Sequence, residues 1–175
     1  MSDSKKILIA FFSRGGMNYT SNGIADLQVG NTEKACMTAA ELTGAEMFKI
    51  EPVKPYPFEY SACTDAAQKE LRANARPEIT KDISIDSYDV IILAYPNWWG
   101  TMPMPVWTFL DAHNWNGKTI MPLCTNEGSG MGSSERDLRK LAQGAEIKRG
   151  LSLCGSGVDS AKHAIETWLK SNGVL

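Results

Sequence analysis

Val90-Ile-Ile-Leu-Ala94 is short, rich in β-branched side chains and free of polar residues. A run of that length without alternation leaves no face for water, so it reads as a strand covered on both sides. Ile7 to Phe12 has the same character, and Glu46–Ile50, Lys118–Thr125 and Ile147–Cys154 supply three more candidates. Helical spacing fills the gaps between them. One face collects Cys36, Ala39, Ala40 and Thr43 behind Glu33, with Gly44 as a natural stop. Ala62–Ala75 carries Cys63, Ala66, Ala67 and Leu71; Pro103 and Pro105 open a helix holding Val106, Phe109 and Leu110. Ser134 and Asp137 suggest a capping box before Leu138 and Leu141. A last helix, Ser160–Ser171, is expected to bury Ala161, Ala164, Ile165, Trp168 and Leu169. Strand and helix thus alternate five times. That excludes an eight-unit barrel and predicts a single α/β domain over residues 1–175, a parallel sheet with helices on both faces.

Such sheets bind ligands beyond the carboxyl ends of their strands, where the strand order reverses. Three loops at those ends are unusual: Ser13–Thr32, Pro96–Thr101 and Thr125–Gly132. In the second, Pro96 ends the central ladder and Trp98-Trp99-Gly100 follows. A loop has no core to fill with two indoles, so they read as a stacking surface for a flat aromatic ligand, the alternative being that both pack against a neighbouring helix. In the first loop, helix N-terminal amides favour an anion, with Ser13, Asn31 and Thr32 as side-chain donors; Arg14 is the only nearby cation. Taken alone, Asn31 or Thr32 as an ordinary N-cap is the better account of this loop. No G-x-x-x-x-G-K-[ST] occurs, and Gly128-Ser-Gly-Met-Gly132 lacks dinucleotide spacing. Those glycines fit close approach of main chain to a ligand edge.

A formal charge of −2 offers no basic footprint for nucleic acid. Cys36, Cys63, Cys124 and Cys154 lie far apart and form no metal-like cluster with histidine. They are expected to be reduced core residues of a cytoplasmic protein. The run Ile7–Phe12 is too short for a leader or a membrane span. His113 and His163 read as surface or satisfied side chains.

Ile7-Leu-Ile-Ala-Phe-Phe-Ser13, Gly30-Asn-Thr-Glu33, Ile50-Glu-Pro52, Pro55-Tyr56, Pro96-Asn-Trp-Trp-Gly100 and Thr125-Asn-Glu-Gly-Ser129 together resemble the flavodoxin family. Within it, the short-chain flavodoxin-like proteins are the nearest in pattern. The resemblance implies a three-layer sandwich around a five-stranded sheet in the order 2-1-3-4-5, binding FMN without a covalent bond. By that match Ser13, Arg14, Gly30, Asn31 and Thr32 surround the phosphate. Pro96, Asn97, Trp98, Trp99, Gly100, Thr125, Asn126, Glu127 and Gly128 border the ring, with main-chain N–H groups of 98–100 and 127–128 bonding its edge. The sequence departs from the family's compact phosphate loop by placing Gly15–Val29 between Ser13 and Gly30. That segment is expected either to fold over the ring or to bulge outward. Two redox functions follow: an electron carrier serving redox partner proteins, favoured here, or an NAD(P)H-dependent reductase of quinones or similar small acceptors. A strongly acidic docking face would favour the carrier, and −2 lends it little.

Overall fold

The computed structural model describes residues 4–175. Its central sheet is built from β1 (Ile7–Phe11), β4 (Glu46–Lys49), β5 (Val90–Pro96), β6 (Thr119–Asn126), β7 (Glu146–Ile147) and β8 (Leu151–Cys154). Every pairing in it is parallel, in the order β4-β1-β5-β6-β7, with β8 also on β6. Counting only the predicted strands, this is the expected 2-1-3-4-5. The expected five strands become six because the last one breaks: Lys148 N still donates to Ile120 O (2.9 Å), after which the chain leaves β6 until Leu151.

Alternation of side chains sorts the core into two layers. Leu8, Ala10, Ile91, Leu93 and Tyr95 face Val106, Phe109 and Leu110 of α3 (Met104–Asp111) and Leu138 of α4 (Ser134–Leu141). Ile9, Phe11, Val90, Ile92 and Ala94 face Ala35, Cys36 and Ala39 of α1 (Asn31–Thr43). Ile165, Trp168 and Leu169 of α5 (Lys162–Ser171) complete that side, whereas Ala164 is exposed. The helix α2 (Tyr60–Arg72) lies beside α3.

Three local expectations fail. The segment 15–29 is not a loop but a hairpin, β2 (Gly16–Thr20) and β3 (Gly23–Leu27), antiparallel and separate from the main sheet. The Ser134–Asp137 capping box does not form. Ser133 holds the cap position, the Ser134 hydroxyl donates to Met131 O (2.6 Å), and Asp137 instead accepts from Thr101 Oγ1 (2.7 Å). Cys154 is exposed, while the other three cysteines are buried and all four are free.

Candidate functional site

The carboxyl ends of β1, β5, β6 and β8 open into a cavity of about 490 Å³. Of the residues expected there, Ser13, Arg14, Asn31, Thr32, Pro96, Asn97, Trp98, Trp99, Thr125, Asn126 and Glu127 line it. Gly30, Gly100 and Gly128 do not line it. Sequence reasoning missed the opposite wall, where Tyr60, Cys63, Thr64 and Ala67 of α2 meet Asn18 and Tyr19 of the hairpin. Their spacing of three and four was the available signal, because it puts them on one face of α2.

At one end of the cavity lies the start of α1. Its cap is Gly30, which has no side chain to offer, so Ser13 reaches across and its Oγ accepts from Glu33 N (3.1 Å). The glycine is required: a Cβ there would stand 2.2 Å from Ser13 Oγ and 2.6 Å from Arg14 O. Asn31 and Thr32 are therefore the first helical residues and not caps. Among the described residues their amides meet no protein acceptor, the ordinary condition of a helix start. The Thr32 hydroxyl is buried and pairs with Thr125 Oγ1 (2.7 Å), so one of the two keeps a proton to donate elsewhere. Arg14 is occupied: its Nη atoms donate to Met17 O (2.6 Å), Pro57 O (2.7 Å) and Phe58 O (2.6 Å).

The other end is set by the turn Trp98–Thr101. Trp98 and Thr101 exchange backbone bonds of 2.9 and 3.2 Å, and the two residues between them both have positive φ (55° at Trp99, 84° at Gly100). That is the arrangement of a type I′ turn, in which Gly, Asn or Asp is normal and Trp is strained. Asn97 braces it, accepting from Gly100 N and donating to Gly130 O (both 2.9 Å). The two indoles part company. Trp98 is half-buried, edge-on to Phe12 and Tyr56 with centroids 5.0 and 4.9 Å away. Trp99 is 50% exposed, steadied by Nε1 donating to Thr64 O (2.9 Å).

The amides expected at a ligand edge are mostly committed within the protein. Trp98 N donates to Thr101 O, Gly100 N to Asn97 Oδ1 and Gly128 N to Asn126 Oδ1 (3.0 Å). Among those five positions, only Trp99 and Glu127 keep amides with no protein acceptor among the described residues. Glu127 is likewise turned to other use: Oε1 accepts from Ser156 Oγ (2.7 Å) and Oε2 from Cys154 Sγ (3.4 Å). Arg14 and Glu127 are the only charged residues of the wall, and both are hydrogen-bonded within the protein. Burial raises the Cys63 thiol, keeping it neutral, and pushes Cys124 behind the β6 end up to about 12. His113 is satisfied by Asp82 (2.9 Å) away from this cavity, and His163 is exposed on α5. The described residues contain no group of His, Cys, Asp and Glu arranged for a metal. None of their helices is long and apolar enough to cross a membrane.

A family model described as flavodoxin matches residues 6–172. No curated protein matches the chain. Among solved structures, a flavoprotein candidate from Bacteroides eggerthii is 28% identical with a TM-score of 0.75, over 95% of this chain and 97% of that one. A flavoprotein from Lactobacillus acidophilus, solved in complex with FMN, is 20% identical with a TM-score of 0.62, over 89% and 97%. Oxidised flavodoxin 2 from Bacillus cereus is 16% identical with a TM-score of 0.51, over 95% and 99%. The last two likenesses are of fold alone.

Proposed function

The chain belongs to the flavodoxin family, and on that premise we propose that it is an FMN-binding electron-transfer protein. One observation carries the reading. A single cavity joins unpartnered N-terminal amides of α1 to an exposed indole held in a strained turn. A phosphate suits the first end and a flat ring the second.

The donor set fits a phosphate although it contains no lysine. Amides of Asn31 and Thr32, one hydroxyl of the Thr32–Thr125 pair and that of Ser13 are neutral donors, and hydrogen bonds to a charged acceptor are worth roughly 1.5–3 kcal/mol each. The ring end is neutral as well: Tyr19, Tyr60, Cys63, Thr64, Ala67 and Trp99 present uncharged surface. When bound, FMN supplies the redox chemistry; the protein orients it and sets its surroundings. With no ionised side chain free beside the ring end, the chain's own residues bind, orient and exclude water, and none is required as an acid or base.

The carrier role stands first, with redox proteins as partners. A second reading is favoured by the hairpin, because Asn18 and Tyr19 add a wall to the cavity. A walled pocket suits an NAD(P)H-linked reductase of quinone-like acceptors better than a docking protein. The test of the shared premise is FMN titration. Tryptophan emission should fall and the melting temperature rise, by about 4 kcal/mol of stabilisation at a thousandfold excess over Kd. Unchanged emission together with an unchanged melting temperature at micromolar excess would refute it.

A further inference from the structure

The hairpin β2–β3 pairs with no other strand, and an isolated two-stranded hairpin is barely stable in water. It holds its place through attachments at both ends. The base is fastened several times over, by the Arg14 fork to residues 17, 57 and 58 and by Met17 N donating to Phe58 O (3.1 Å). The tip has one relay. Ser21 N donates to Ser156 Oγ (2.9 Å), and that hydroxyl donates to Glu127 Oε1 (2.7 Å). Between the attachments, Asn18 and Tyr19 form part of the cavity wall, so β2 runs along the cavity from the start of α2 to the 3₁₀ turn Gly155–Ser160.

That turn is brought there on purpose-built geometry. A Cβ at Gly155 would stand 2.5 Å from Asn31 Nδ2 and 2.9 Å from Glu127 Oε1, so a larger residue there would push aside the side-chain ends of Asn31 and of the relay's own Glu127. The hairpin tip needs nothing from the relay for its own shape. Thr20 Oγ1 donates to Gly23 O (2.6 Å) and accepts from Asn22 N (3.2 Å), which closes the turn internally. Breaking the relay therefore frees the tip without unfolding it.

We propose that Ser156 is a positioning residue that latches the hairpin over the cavity, and that opening of this latch sets the rate at which the bound cofactor leaves. The second half rests on the FMN reading; the first does not. The test compares Ser156→Ala, Glu127→Ala and Glu127→Gln with the natural chain. Hydrogen exchange at the Ser21 amide, measured with and without FMN, reports the latch. FMN release into excess apo-flavodoxin trap reports the gate.

Ser156→Ala should speed both about tenfold, the weight of one net hydrogen bond, and Glu127→Ala should speed Ser21 exchange by less. Glu127→Gln, whose amide oxygen still accepts from Ser156, should keep Ser21 exchange near the natural rate. The unfolding midpoint should not move, since the hairpin lies outside both core layers. Unchanged Ser21 exchange in Ser156→Ala overturns the latch. Faster exchange with unchanged FMN release overturns the gate. A natural chain that retains no FMN refutes the cofactor reading and the gate together, while Ser21 exchange still decides the latch.

Discussion

Trp99 is held against its backbone preference. A left-handed conformation costs a residue with a Cβ roughly 1–2 kcal/mol, and Trp99 also exposes half its surface. Strain that does not serve packing points to binding. Trp99→Asn should relieve the backbone and lose the bond to Thr64, two effects of about 1 kcal/mol that nearly cancel in the ligand-free protein. Its affinity for FMN and for riboflavin should fall alike, because on the proposed function the indole lies at the ring end of the cavity and not at the phosphate end. Thr32 is the opposite case. Thr32→Ala should weaken FMN about ten- to a hundredfold, at 1.4 kcal/mol per decade, and leave riboflavin little changed. Thr32→Ser should restore FMN. Equal losses of both ligands in Thr32→Ala would show that the pair with Thr125 serves only packing.

At the scale of elements, α2 carries a carboxylate in an awkward place. Glu70 accepts from the Tyr56 hydroxyl, and burial raises its pKa above the ordinary 4.5 despite that bond. The folded protein therefore holds this proton to higher pH than the unfolded chain does. Stability contributed by protonated Glu70 is present below 4.5 and declines as pH rises through its folded pKa. Glu70→Gln keeps an acceptor for Tyr56 without the charge, so it should match the natural chain in acid and be at least as stable at pH 7. Melting curves at both pH values check this, and a less stable Glu70→Gln at pH 7 would contradict it. Elements of this kind differ in how openly the sequence declares them. Val90–Ala94 and Ile7–Phe12 were legible because burial on both faces forbids polar residues. The hairpin was not, because Met17, Tyr19 and Ile24 alternate over too few residues among polar neighbours, and its partners, Phe58 and Ser156, are distant in sequence. For the same reason Glu127 could be placed at the cavity but not turned toward Ser156, and Gly30 gave no sign that Ser13 would do the capping.

Taken whole, the molecule puts its sparsely charged cavity wall and the β2–β3 hairpin on the same side, where on the proposed function a protein partner or a small acceptor would arrive. Weak redox complexes use small interfaces, and their rates fall with salt when opposite charges steer them. A net charge of −2 and a cavity wall whose only charged groups are internally bonded provide little steering. The FMN-loaded protein should accordingly take electrons from a reductase protein at a rate that changes little, less than about threefold, between 0.01 and 0.15 M salt, although the screening length shortens from about 30 to 8 Å over that range. The same preparation separates the two redox roles. A carrier should oxidise NADH or NADPH only slowly when no reductase is present. Turnover of a quinone with either nucleotide at tens per second, within the usual range of enzymes, would instead assign the reductase role. In that event Tyr19→Ala should change the KM for the quinone several-fold while FMN is retained, because Tyr19 lines the cavity from the hairpin and takes no part at the α1 end.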